Sequence, residues 1–91
     1  MFDKERFHNA LALSLGYERI VKDKRITIDV DDSDDPWVTL RFQGCQEVVS
    51  FKASDKANVI LPNQIFDMQD ETNNIAEAVH QAYIQATTNP F

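Results

Sequence analysis

The sequence is poor in the residues on which most catalytic and metal sites depend. It contains one cysteine, two glycines and two histidines in 91 residues. One cysteine excludes an intrachain disulfide and a zinc site built from several cysteines, and two glycines exclude a glycine-rich phosphate loop. Nothing in the sequence places a histidine near Cys45, so a cysteine–histidine nucleophile pair is not indicated. We predict a protein that is not an enzyme and needs no cofactor, although a metal-free mechanism using carboxylates alone stays open.

One pair of residues has the spacing of a metal-binding motif. Glu77 and His80 match the Glu-x-x-His pattern of carboxylate-bridged metal sites in helical bundles. Such sites need two copies of the motif and further glutamates on facing helices, and this chain has one copy. We therefore expect Glu77 and His80 to be an ordinary pair that faces solvent.

Long apolar runs are absent as well, and the last third of the chain has no basic residue. No apolar run approaches the ~20 residues that span a bilayer, and the chain opens on charged residues without a signal-peptide core. We expect a cytoplasmic protein without membrane contact. The net charge is −6, and residues 57–91 carry four acidic residues and no Lys or Arg. Such a surface repels phosphate, so we expect a partner protein with a basic surface and no direct binding to nucleic acid.

The composition that remains is typical of one small ordered domain. Of the 91 residues, 43% are hydrophobic and 26% are charged, a balance found in globular chains. We predict the α+β class: an N-terminal helix, an antiparallel meander, and a C-terminal helix packed on one face of the sheet. The predicted segments of this single domain (1–91) are a helix over 1–16, the sheet over 17–53, irregular loop over 54–69, a helix over 70–87 and a tail over 88–91.

Alternation of apolar and polar residues predicts the strands of the meander. Every second residue is apolar in 25–30 and again in 37–43, which is the pattern of a strand with one buried face. A third run covers 48–52. Residues 17–22 are ambiguous between a linker and a fourth strand, so the meander has three strands or four.

A tight turn sets the pairing of the second and third strands. We predict a two-residue turn at Gly44-Cys45, of the type that requires glycine first. In that register Leu40 opposes Val49, and the apolar residues of both strands lie on one face. The pairs expected on the other, solvated face are Trp37 with Lys52, Thr39 with Ser50, and Arg41 with Val48.

Both predicted helices carry end signals and an apolar stripe. Asp3 suits the N-cap of the first helix, Phe2 and Phe7 are spaced for a hydrophobic staple, and Gly16 suits the C-cap. The second helix opens with an acidic pair at 70–71, which suits its positive end. The stripes, expected to cover the apolar face of the sheet, are Phe7, Ala10, Leu11, Ser14 and Leu15 in the first helix and Ile75, Val79, Ala82, Tyr83 and Ala86 in the second.

The most unusual stretch is a cluster of carboxylates beside the only tryptophan. We call these six residues the acidic patch: Asp29, Asp31, Asp32, Asp34, Asp35 and Trp37. Clustered carboxylates suit calcium, but an EF-hand loop starting at Asp29 would have Asp34 in place of its glycine and Leu40 in place of its glutamate. An aromatic residue among like charges is typical of an interface for a basic partner. We predict that the acidic patch contacts such a partner, with a plain solvated loop as the alternative.

The predicted order of elements resembles two kinds of known domain. Helix, three-strand meander, helix is the order of double-stranded RNA-binding domains, in which the second helix begins with a basic cluster. Here the corresponding start is acidic, at 70–71, so the resemblance implies a similar fold with inverted charge. The same order, with an acidic composition, also resembles that of dimeric secretion chaperones.

Three functions follow from these observations. The first is a small, non-catalytic module that occupies a basic surface of a partner protein, as an inhibitor or nucleic-acid mimic of phage or mobile-element type. The second is a structural or chaperone-like homodimer, formed through the solvated sheet face around Trp37 and Val48 or through the Ala-rich second helix. The third is a calcium-dependent module.

Overall fold

The computed structural model describes residues 2–15, 26–55 and 59–87. An N-terminal helix, a three-stranded antiparallel sheet and a C-terminal helix packed against it form one small compact domain, which confirms the predicted α+β fold. The elements in chain order are α1 (Lys4–Leu15), β1 (Ile26–Val30), β2 (Trp37–Phe42), β3 (Val48–Lys52), a 3-10 helix (Asn63–Met68) and α2 (Gln69–Thr87). The Gly16 cap, the fourth strand over 17–22 and the tail over 88–91 lie outside the described residues.

The start of α1 follows from its capping residues. Asp3 Oδ1 accepts a hydrogen bond of 3.1 Å from the Arg6 N–H, and the rings of Phe2 and Phe7 lie 5.4 Å apart. The predicted cap and staple are therefore both confirmed. The predicted start at residue 1 is wrong, because a capping residue needs a non-helical backbone and the helix begins only after it, at Lys4.

The sheet has β2 in its centre, antiparallel to both neighbours. The β2–β3 register confirms the prediction: Leu40 pairs with Val49, Trp37 with Lys52, Thr39 with Ser50, and Arg41 with Val48. Every second residue of β2 is therefore buried, at positions 38, 40 and 42.

The turn between β2 and β3 differs from the prediction. The Cys45 N–H donates a hydrogen bond of 3.0 Å to the Phe42 carbonyl, so the central turn residues are Gln43 and Gly44 rather than Gly44 and Cys45. Gly44 has φ 83°, whereas no described residue other than glycine has a positive φ. A turn with positive φ at its second central residue needs glycine there, which shifts the turn by one residue. The register is unaffected because residues 45–47 complete a longer connection.

One hydrophobic core joins the sheet to both helices. Val38 and Leu40 from the sheet, Phe7 from α1, and Ile75 and Val79 from α2 are all fully buried in it. Each such side chain contributes about 1.5–3 kcal/mol relative to an exposed one. Of the two predicted stripes, Ser14 and Tyr83 are half-buried, the Leu15 side chain lies outside the described residues, and the rest are buried.

Helices α1 and α2 also meet directly near their start and end. The Asp3 N–H donates a hydrogen bond of 2.9 Å to the Ala86 carbonyl, and the Phe2 ring stacks on Tyr83 with centroids 5.5 Å apart. The beginning of α1 is thereby fixed to the last turns of α2.

The segment predicted as irregular loop over 54–69 contains a helix in its second half. Residues 63–68 form the 3-10 helix, and Ile65 and Met68 within it are buried. Before it, Val59 and Leu61 are buried in irregular structure. The Gln69 side chain accepts a hydrogen bond of 3.1 Å from the Leu61 N–H and donates one to the Val59 carbonyl, so the start of α2 holds this run in place.

Candidate protein-binding surface

The acidic patch lies at the end of β1, in the loop that follows, and at the start of β2. Asp31 closes this loop. Its Oδ1 accepts hydrogen bonds from the Ser33 hydroxyl at 2.7 Å, the Trp37 N–H at 3.1 Å and the Ser33 N–H at 3.3 Å. The hydrogen bond from the Ser33 hydroxyl is the main cause of the lowered pKa of Asp31; desolvation opposes it, and the N–H groups of Trp37 and Ser33 lower the pKa further. Asp31 is therefore a charged residue that fixes the loop backbone.

Asp35 attaches the same loop to the end of β3. Its carboxylate accepts hydrogen bonds from the Ser54 hydroxyl at 2.8 Å and the Ser54 N–H at 3.3 Å. Beside this contact the Ala53 N–H donates a bond of 2.9 Å to the carbonyl of Pro36, a buried residue. Asp31 thus stabilises the loop through hydrogen bonds within it, and Asp35 attaches the loop to Ser54, beyond the end of β3.

The remaining carboxylates of the acidic patch point to solvent. Asp29 pairs with Arg41 at 3.1 Å and Asp32 with Lys4 at 3.4 Å, and all four side chains are largely exposed. Asp34 is exposed and has no hydrogen bond or ion pair within the described part of the chain. Exposed ion pairs contribute about 0–1 kcal/mol, so a partner's cations could replace Arg41 and Lys4 at little cost.

Trp37 is half-exposed on the solvated face of the sheet. The residue exposes 46% of its surface to solvent, and the Lys52 ammonium lies 5.5 Å from the ring centroid. That distance is within the range of a cation–π contact. The tryptophan therefore already binds one cation from its own chain at the edge of the acidic patch.

The described residues offer no converging set of ligands for a metal ion. No group of three or more His, Cys, Asp or Glu side chains among them could hold one. The carboxylates of Asp31 and Asp35 are directed at N–H and hydroxyl donors of the protein instead. Asp31 and Asp35 thus act as hydrogen-bond acceptors within the protein.

The expectation that His80 faces solvent is wrong. The ring is half-buried, and Nδ1 lies 3.2 Å from the Ala53 carbonyl, across from the end of β3. A helical pattern alone does not reveal that this part of α2 lies over the β3 end.

The single Cys45 is free and half-buried.

Sequence reasoning missed four residues that shape the surface: Lys4, Ser33, Lys52 and Ser54. Ser33 had a local signal, because an aspartate commonly binds the backbone and side chain two residues further on. Lys52 was placed opposite Trp37 by the register, but its contact with the ring was not predicted. Lys4 and Ser54 reach the loop from α1 and from beyond β3, so no local pattern indicates them.

Comparison of the chain with protein-family models, with curated proteins and with solved structures finds no match. Within residues 2–15, 26–55 and 59–87, no helix combines the length and apolar character needed to cross a membrane.

Proposed function

We propose that this chain is a small, non-catalytic protein-binding module that occupies a basic surface of a partner protein through the acidic patch. The proposal rests on one observation: the residues of the acidic patch have two different structural roles. Asp31 and Asp35 fix the loop backbone, whereas Asp29, Asp32 and Asp34 stay exposed around a half-exposed Trp37.

A loop fixed in this way favours binding for a physical reason. Ordering a flexible loop costs free energy at the moment of association, and a loop already held in one conformation avoids most of that cost. Exposed carboxylates then accelerate encounter with a basic surface, and the exposed aromatic ring of Trp37 supplies contact area. These properties suit an inhibitor or a nucleic-acid mimic, acting in the cytoplasm where a lone cysteine stays reduced.

The proposal assigns two roles to the six residues. Asp31 and Asp35 position the loop, and their replacement weakens binding through loss of loop structure. Asp29, Asp32, Asp34 and Trp37 make the contacts. Arg41 and Lys4 act as internal substitutes for the partner's cations in the unbound protein.

The test compares two variants that change the net charge equally. The patch variant carries Asp29→Asn, Asp32→Asn and Asp34→Asn. The control variant changes three exposed acidic residues elsewhere: Glu47→Gln, Asp55→Asn and Asp70→Asn. Each protein is immobilised, partners are captured from host-cell extract at low salt, and the affinity of the purified partner is then measured as a function of salt concentration.

We expect the wild type and the control variant to bind the same basic protein, and the patch variant to bind it roughly 3- to 150-fold more weakly, from about 0.2–1 kcal/mol for each lost pair. Binding by the wild type should weaken steeply as salt rises. Equal loss in both variants would mean that net charge alone matters, and no loss in the patch variant would exclude the acidic patch as the contact surface.

A further inference from the structure

The β3 strand has one side without a strand partner among the described residues. It pairs with β2 alone. The Ala53 N–H donates to the Pro36 carbonyl at 2.9 Å, and Ala53 opposes Pro36 when the β2–β3 register is extended. Because hydrogen-bonded pairs alternate along an antiparallel ladder, Val49 and Phe51 turn their backbone groups toward β2. The backbone groups of the alternate residues therefore point outward, namely those of Val48, Ser50 and Lys52.

Nearly all of these outward groups are without a hydrogen-bond partner among the described residues. In the part of the chain that the structure describes, the one contact they make outside the sheet is from the Asp55 N–H to the Lys52 carbonyl, at 3.0 Å. Edge strands are commonly protected by proline, by charged side chains such as lysine along the edge, by shortness or by a covering segment. Strand β3 has no proline, and its single charged residue is Lys52 at its end.

We propose that β3 pairs antiparallel with β3 of a second copy of this chain, about a two-fold axis at Ser50, and so joins two sheets into one. Ser50 then opposes Ser50 of the second copy, with reciprocal backbone hydrogen bonds. Val48 opposes Lys52 of the second copy on either side of the axis. The proposal does not depend on the acidic patch.

The pattern of the core face favours a second copy in this register. Val49 is only half-buried at the sheet edge, whereas Phe51 is buried. A two-fold axis at Ser50 places Val49 beside Phe51 of the second copy, so apolar residues continue across the junction. A shift of the axis to Val49 would place Glu47 against Phe51. A shift of the axis to Phe51 would extend the strand pairing past Lys52, into the turn that follows β3.

The solvated face is also self-complementary. The hydroxyls of Thr39 and Ser50 lie 3.2 Å apart, and pairing at Ser50 extends this contact into a row of hydroxyls through both copies. Val48, which is 48% exposed, comes to lie beside the Lys52 stem of the second copy, next to Trp37. Exposed apolar surface on this face is thereby reduced.

The Ala-rich face of α2 does not compete for this role. Ala78, Ala82 and Ala86 are buried within the domain itself. Two homodimer surfaces were considered from the sequence, and only the solvated face of the sheet is exposed in the structure. The β3 edge of that sheet has a residue pattern that is complementary to itself.

The test uses opposite charges at the two-fold axis. Ser50 is exposed, so Ser50→Lys and Ser50→Glu place a charge in solvent in the single copy but two like charges directly opposite each other in the pair. Sedimentation equilibrium is measured at about 100 µM protein, a concentration suited to a small interface. Circular dichroism of the same samples checks that each variant is folded.

We expect the wild type to have twice the monomer mass of 10.4 kDa, each Ser50 variant to be a monomer, and an equimolar mixture of the two variants to recover the dimer mass. Recovery on mixing cannot arise from misfolded variants. The patch variant described above should remain a dimer, which separates this proposal from the binding of a basic partner. A monomeric wild type, variants that remain dimers alone, or a mixture that stays monomeric would each overturn the proposal.

Discussion

The contact between Asp35 and Ser54 attaches the loop between β1 and β2 to the segment after β3. A double-mutant cycle measures the free energy of this contact. The cycle compares the wild type with Asp35→Ala, Ser54→Ala and the double variant. Asp35→Ala removes the acceptor for both the Ser54 hydroxyl at 2.8 Å and the Ser54 N–H at 3.3 Å. Ser54→Ala removes only the hydroxyl bond and leaves the N–H bond intact.

The expected magnitudes follow from those geometries. A hydrogen bond to a charged group contributes about 1.5–3 kcal/mol, and neutral bonds about 0.5–1.5 kcal/mol. Ser54 is exposed, so water competes and we take values below the range for a charged acceptor. We expect Ser54→Ala to lower the free energy of unfolding by about 1 kcal/mol and Asp35→Ala by about 1–2 kcal/mol. The double variant should match Asp35→Ala, because the Ser54 hydroxyl then has no acceptor to lose.

The assay is urea denaturation followed by far-ultraviolet circular dichroism, with thermal melting as a second measurement. A loss of 1 kcal/mol corresponds to a melting temperature lower by about 4–8 °C in a domain of this size. Asp34→Ala is the matched control, because its side chain is exposed and without a partner in the described residues; its stability should stay within about 0.5 kcal/mol of wild type. Strictly additive losses in the cycle would refute the anchoring of the loop by this contact.

Two further predictions concern Asp31 and Asp3. The pKa of Asp31 is lowered in the folded protein, so its charge stabilises the fold above the ordinary aspartate pKa of about 3.9, and this contribution is lost as the pH falls through the lowered value. Melting curves should thus show a gap between wild type and Asp31→Asn that is constant from pH 7 to about pH 5 and narrows below pH 4; a gap unchanged down to pH 2 would contradict this. Asp3→Ala should lower the free energy of unfolding by about 1 kcal/mol and Asp3→Ser by much less, since serine also caps a helix; equal losses in urea denaturation would exclude capping as the cause.

The parts of the fold that the sequence predicted are those that nearby residues determine. The cap and staple at Phe2, Asp3 and Phe7 involve residues no more than five positions apart in the sequence. The β2–β3 register follows from alternation in two strands joined by a short connection, in which a slip of one residue would expose the whole apolar face. That constraint is strong enough to give the right register even though the turn was predicted at Gly44-Cys45 and lies one residue earlier, at Gln43-Gly44.

The parts that could not be predicted depend on which elements meet in space. His80 faces the Ala53 carbonyl because α2 lies over the end of β3, and Lys4 reaches Asp32 because α1 begins beside the acidic loop. The same limit applies to the acidic patch. In the sequence its five carboxylates are equivalent, and their division into positioning and exposed groups requires Ser54, which is distant along the chain from Asp35.

The contact between the start of α1 and the end of α2 constrains the order of folding. The β2–β3 hairpin closes a short loop, whereas the Asp3–Ala86 bond closes a loop of nearly the whole described chain, and the entropy lost on closure rises with loop length. Contacts between distant residues form slowly compared with local ones. We therefore expect the stacking of Phe2 on Tyr83 to form late in folding, so that weakening it would raise the unfolding rate more than it lowers the folding rate.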